Sequence, residues 1–223
     1  MITTMRDGQT QQGSVLGVIG TQVQVRSASG ATTVLPLANV AQVTTPAPAE
    51  YLAAFSAYDR GDLKGACAQM TTVVERFRGL PAPWAGNAML TLGAMDVAAG
   101  KLAEAAAAFD DYQRAYPAAN PEDATVGMAL IDVARKDYDA ANVKIGPALA
   151  EALKDRTPTP EAGALYGRAF YVSGQIKEQA GQFNGALMDY LRTVVIFPQD
   201  PLATTSSRER ADALRRDQEA VVP

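Results

Sequence analysis

Ala180-Gly181-Gln182-Phe183-Asn184-Gly185-Ala186 is the stretch on which the reading of this chain turns. It has two close relatives upstream: Arg60-Gly61-Asp62-Leu63-Lys64-Gly65-Ala66, and Ala99-Gly100-Lys101-Leu102-Ala103-Glu104-Ala105. A fourth, weaker copy is Arg135-Lys136-Asp137-Tyr138-Asp139-Ala140-Ala141, with Lys136 in the place of the glycine. The turn positions 61, 100, 136 and 181 stand 39, 36 and 45 residues apart. A period in this range is the mark of helical hairpins arranged in series.

Each place in the repeat has a physical reason. The glycine ends a first helix in a left-handed conformation, which is cheap only without a Cβ. The apolar residue two places later (Leu63, Leu102, Tyr138, Phe183) is expected to plug the turn. The alanine five places later (Ala66, Ala105, Ala141, Ala186) lets the two helices approach, and a bulky residue follows it at Met70, Phe109, Ile145 and Tyr190. Pro117 and Pro198 stop the second helix of their hairpins. The pattern predicts helices over 48–60, 62–78, 83–99, 101–116, 121–135, 138–154, 160–180 and 182–197, with Gly146-Pro147 bending the sixth. A last helix is expected over 204–218, polar nearly all round, as a capping element.

Residues 1–45 read differently. Their only charges are Arg6, Asp7 and Arg26, and they are rich in Thr, Val, Gln and Gly. Ser14–Ile19, Gln22–Arg26, Thr32–Leu35 and Val40–Val43 read as short strands, and Asp7-Gly8 opens an earlier hairpin. Thr44-Thr45-Pro46-Ala47-Pro48 is a proline-punctuated linker. Two domains are therefore expected: a small β module over 1–45, curled into a partial barrel, and a helical domain over 46–223.

Composition removes most chemistry. The chain has 223 residues, a net charge of −4, one cysteine and no histidine. Without His there is no Ser-His or Cys-His nucleophile pair and no imidazole metal ligand. With Cys67 alone there is no intrachain disulfide and no thiolate zinc site. No Gly-rich phosphate loop and no usefully spaced carboxylate pair is present; Asp110-Asp111 are adjacent and point apart on a helix. The expectation is a protein that is not an enzyme, with no catalytic residue, no cofactor and no metal. The acidic balance argues against nucleic acid, and no apolar run is long enough to span a membrane. Cys67 reads as a small buried hydrophobe, and Trp84 as packing between hairpins.

The repeat residues resemble the tetratricopeptide repeat family, over roughly residues 47–200. Its best copies here are Gly93, Gly100, Ala105, Phe109 and Pro117, then Gly174, Gly181, Ala186, Tyr190 and Pro198. The resemblance implies a mainly α fold: an α-α solenoid of about four helical hairpins behind the β module. The spacings exceed the family's usual period of about 34, which implies longer loops or helices, notably around Arg156–Pro160. The resemblance also implies that a protein or peptide partner lies along the first helices. Carried over, that face comprises Tyr51, Phe55 and Tyr58, then Asn87, Leu90, Ala94 and Val97, then Val126, Leu130 and Val133, and finally Arg168, Tyr171, Gln175 and Glu178. Tyr51, Phe55 and Tyr58 share one helical face, which packing on the β module would equally explain.

The N-terminal segment, with Met5-Arg6-Asp7-Gly8, Gly13, Gly17, Gly20, Val23, Val25, Gly30 and Pro36-Leu37-Ala38, is similar to small β modules preceding helical repeats in exported bacterial envelope proteins. That implies the periplasm or cell envelope, with a signal peptide removed ahead of Met1. The functional expectation is a non-catalytic interaction or scaffold protein. The alternative is a self-assembling structural protein, a homo-oligomer through the apolar concave face or a β edge.

Overall fold

Three glycines and one lysine set the helical architecture. Gly61, Gly100 and Gly181 have φ of 78°, 74° and 72°, and Lys136 takes the same left-handed conformation at 64°. Each sits between two antiparallel helices, as the repeat predicts. The structure is a computed structural model and describes residues 2–219. Among these are nine α-helices and two small sheets. The chain's compact units divide between Ala119 and Asn120.

The first unit opens with the strands β1 (Ile2–Met5), β2 (Thr10–Gln12), β3 (Ser14–Ile19), β4 (Gln22–Arg26), β5 (Thr32–Pro36) and β6 (Val40–Thr44). All pairing is antiparallel. One sheet has the order β2-β1-β6 and the other β3-β4-β5. The expected partial barrel is not formed, because no ladder joins the two sheets. Two breaks explain this. Gly13 separates β2 from β3 where a Cβ would lie 2.5 Å from the Arg26 carbonyl oxygen. A short 3-10 turn at Leu37–Asn39 separates β5 from β6. Asp7-Gly8 does form the tip of the β1–β2 hairpin: Gly8 has φ 85° and donates to the Met5 carbonyl.

In the same unit follow α1 (Ala49–Asp59), α2 (Leu63–Phe77), α3 (Pro83–Ala98) and α4 (Leu102–Ala115). Each packs on the next, and α2 also packs on β3. Gly17 permits that approach, its Cα facing the backbone of Arg76, whose Nε donates to the Leu16 carbonyl at 2.6 Å. Asp62 caps α2 by accepting from the Gly65 amide.

The second unit holds α5 (Glu122–Ala134), α6 (Tyr138–Ala152), α7 (Pro160–Gln179), α8 (Phe183–Val195) and α9 (Pro201–Glu219). Here α5 packs on α6, α6 on α7, α7 on α8, and α9 on both α7 and α8. Pro147 stands inside α6, which is a single helix over its length. Thr159 caps α7, its hydroxyl accepting from the Ala162 amide, so Pro158–Pro160 mark a helix start as well as a long loop.

The alanines that follow each turn are buried without exception: Ala66, Ala105, Ala141 and Ala186 are all 0% exposed. Their bulky companions Met70, Phe109, Ile145 and Tyr190 are at most 1% exposed. The turn plugs are different. Leu63, Leu102 and Tyr138 are half-buried and Phe183 is exposed, because the turn leaves one side of each open to water. The last helix also departs from expectation. It starts at Pro201, and it has a packed face of Leu202, Ala203, Ser206, Ser207, Ala211 and Leu214. Small serines and alanines read as polar or neutral in sequence, yet they are what close packing needs.

Candidate functional site

A groove is found in each unit, and the face expected from the sequence divides between the two. In the first unit, Pro83 starts α3, and the fixed proline φ sets Trp84 on its first turn. The indole Nε1 donates to the Thr45 carbonyl at 3.1 Å, just past β6. Its ring meets Tyr51 at 6.3 Å and Phe77, edge on, at 5.0 Å between centroids. Tyr51 and Phe55 also meet edge on, at 5.1 Å. These contacts bracket a groove of about 410 Å³ lined by Gln42, Val43, Thr44 and Thr45 on one side and Tyr51, Pro83, Trp84 and Asn87 on the other. The lining has no charged residue. It offers aromatic rings, the Gln42 and Asn87 amides, and Thr44 and Thr45.

Of the expected residues in this unit, Tyr51 and Asn87 therefore come together on one groove. Phe55 backs Tyr51, and Tyr58 is half-buried further along α1. Leu90 is 3% exposed and belongs to the core. Trp84, read from sequence as packing between hairpins in preference to a ligand platform, is both packing and groove wall, at a helix start that Pro83 marks.

In the second unit a groove of about 320 Å³ is lined by Val133, Ala134, Lys136, Tyr138, Gln175, Glu178, Gln179 and Arg210. Tyr171, Gln175 and Glu178 follow one face of α7. The Gln175 amide donates to the Tyr171 hydroxyl at 3.1 Å. Glu178 is held by three groups: the Tyr190 hydroxyl donates to it at 2.7 Å, and Arg210 reaches it from α9 through Nε and a terminal nitrogen. Burial raises the Tyr190 phenol above its ordinary range, and the neighbouring Tyr171 and Asp189 add to the shift. Tyr190 is thus a fixed donor. Arg210 could be found only in the folded chain, since no local pattern links α9 to α7.

Arg168 was expected on the same face and lies in the interior instead. Its side chain is 8% exposed, and its guanidinium pairs with Asp123 on α5 and with Asp200 ahead of α9, the latter at 3.0 Å. Asp200 also accepts from the Ala203 amide, so one carboxylate holds the arginine and caps a helix. This arrangement ties three elements together and leaves Arg168 no reach to a partner.

Cys67 is buried, as expected. Burial and then the adjacent Asp96 carboxyl raise its thiol above the ordinary value, which makes it a poor nucleophile at neutral pH. Asp110 and Asp111 are not equivalent. Asp111 accepts from Arg78 at 2.6 Å and from Arg114 at 3.1 Å, ion pairs that adjacency in sequence conceals. Among the described residues, no group of three or more His, Cys, Asp or Glu is placed to hold a metal ion. No described helix is long and apolar enough to cross a membrane. No protein-family model matches this chain, and neither does any curated protein or solved structure.

Proposed function

We propose that the chain is a non-catalytic docking protein built from tetratricopeptide-type hairpins, which takes up a segment of a protein partner in the groove between β6 and α3. The observation that carries this reading is the lining of that groove. Tyr51, Trp84 and Asn87 stand opposite the strand end Gln42–Thr45, giving aromatic rings, two side-chain amides and two threonines but no charge. Such a surface suits an extended, uncharged peptide segment, held by ring contacts and a few hydrogen bonds. The repeat reading is supported by the four left-handed turns and by the buried small-plus-bulky pairs that follow them. The solenoid arrangement of all four hairpins belongs to this proposal, as does the periplasm or cell envelope, which rests on the N-terminal likeness alone.

The test is site-specific photocrosslinking in cells. A crosslinking amino acid at Asn87 is expected to trap one discrete protein, while the same group at the exposed Arg60 traps none. Equal patterns at the two positions would refute docking at this groove. Fractionating the same cells reads the compartment, and recovery of the chain with the cytosol would overturn the envelope assignment.

A further inference from the structure

Of the sheet edges in the first unit, three are blunted. On β3, the Leu16 carbonyl accepts from Arg76. Along β6, the Val43 amide donates to the Pro81 carbonyl, and just beyond it the Thr45 carbonyl accepts from Trp84. β2 is only three residues long. The outer edge of β5 has no such cover, and its single guard is Pro36 at the end of the strand. Thr32, Thr33, Val34 and Pro36 are exposed, Val34 by 46%. No charged residue occurs anywhere between Arg26 and Glu50, so the lysines and glutamates that commonly guard such edges are missing.

The direction of the backbone groups on β5 follows from its pairing. The Leu37 amide donates to the Thr21 carbonyl, and the Ser27 amide donates to the Ala31 carbonyl. Between these two bonds the β4–β5 register runs from Gln22 opposite Pro36 to Arg26 opposite Thr32. Antiparallel ladders alternate. Residues 31, 33, 35 and 37 therefore point their polar groups at β4, and Thr32, Val34 and Pro36 point theirs outward.

We propose that β5 pairs antiparallel with β5 of a second copy of this chain, about a two-fold axis at Val34, joining two three-stranded sheets into one of six strands. The outward groups match themselves in this register. Each Val34 amide donates to the other Val34 carbonyl. Each Thr32 amide donates to the opposite Pro36 carbonyl. Proline has no N–H to give, and the only group this leaves over is the Thr32 carbonyl at the strand end, where water reaches it. The two Val34 side chains stack on the same sheet face and cover each other. No charge lies at the axis, so identical strands meet without repulsion. The same lack of charge gives the edge little means of selecting a foreign strand. The interface is short, so the dimer is weak and depends on concentration. This inference is independent of the groove, which lies at β6 and α3.

The test uses the full chain. Light scattering over a wide concentration range is expected to show a monomer passing to a dimer, and Val34→Lys, which places like charges at the axis, is expected to hold the chain monomeric with an unchanged melting curve. A second reading covers the case in which that variant does not fold. Under mild oxidation, Val34→Cys is expected to crosslink far faster than Thr33→Cys, since paired Cα atoms about 5.5 Å apart lie within disulfide reach and the diagonal ones about 7–8 Å apart do not. Cys67 is buried, and the wild-type chain controls for it. Equal crosslinking at 33 and 34 in a chain that stays monomeric would overturn the proposal and leave the edge to a foreign strand. Dimers that survive Val34→Lys and show no preference for 34 would also overturn it and place the contact elsewhere.

Discussion

Gly174 on α7 lies directly under the ring of Tyr190 on α8: a Cβ at 174 would stand 2.5 Å from Cε1 of that ring. Gly93 and Phe109 repeat the relationship between α3 and α4, with a Cβ at 93 falling 2.6 Å from the ring. The other two hairpins carry Ala54 and Ala129 at the matching position, both fully buried, where the bulky residues are Met70 and Ile145. A flat ring held close needs glycine, whereas a flexible or branched aliphatic side chain accommodates alanine.

Gly174→Ala and Gly93→Ala are accordingly expected to destabilise the chain by about 1–3 kcal/mol each through overpacking. Pairing Gly93→Ala with Phe109→Leu is expected to recover much of the loss. Chemical denaturation of the single and double variants measures this; additivity of the two changes would show that the residues do not share one contact.

Lys136 holds a left-handed turn at φ 64° without glycine's freedom. Lys136→Gly is expected to raise stability by roughly 1 kcal/mol, the cost of that conformation for a side-chain-bearing residue. Lys136→Val, which is branched at Cβ, is expected to lower it. Thermal melts of the two variants would separate in opposite directions from wild type.

Asp189 is fully buried beneath α7, where it accepts from the Ser173 hydroxyl at 2.6 Å, from Arg192 at 2.7 Å and from Lys177. The two basic partners are each about one-third exposed, so water offsets part of their loss. Asp189→Ala is expected to cost about 2–4 kcal/mol, a figure discounted for that exposure. Asp132 and Lys144 occupy the corresponding places in the preceding hairpin with the charges exchanged, 2.5 Å apart. Asp132→Lys alone is expected to destabilise, and adding Lys144→Asp to restore most of the loss. Denaturant midpoints of the pair decide it.

Two carboxylates are expected to tilt the pH dependence of stability in opposite directions. Burial pushes the Asp111 carboxyl up, but hydrogen bonds from Arg78 and Arg114 outweigh it and hold the group below 3.8. Its contribution is full above 3.8 and is lost as pH falls through the folded-state value. Asp111→Asn should therefore weaken the chain at neutral pH by about 0.5–1 kcal/mol, and the difference should vanish in acid. Burial raises Asp96 above 3.8, with Lys101 offsetting only part of the shift. The folded chain then keeps a proton that the unfolded chain has lost, so stability falls as pH rises through that window. Asp96→Asn is expected to flatten this slope. Urea midpoints measured from acid to neutral pH distinguish the two signs.

Much of this architecture was written in short-range pattern. The turn motif at 61, 100, 136 and 181 located the hairpins, because a left-handed residue followed by an apolar and then a small residue constrains only neighbouring backbone. The apolar run ending at Gly20 located β3, and the alternation of Gln22–Arg26 located β4, for the same reason. The candidate site was legible in part. Tyr51 and Asn87 fell on one groove, and Gln175 and Glu178 on another, as the resemblance to the tetratricopeptide repeat implied for residues along the first helices.

What lay outside the pattern depended on contacts between residues far apart in the chain. Arg168 and Leu90 occupy face positions by spacing, yet neighbouring elements cover them, and a buried guanidinium persists only because Asp123 and Asp200 arrive from two other segments. The β strands were readable one by one, but their division into two sheets turned on Gly13 and on the turn at Leu37–Asn39, where the chain leaves one ladder for another. Local backbone preference is a property of a few adjacent residues and is visible in their order. Burial, ion pairing and sheet membership are properties of segments brought together, and they exist only once the whole chain has packed.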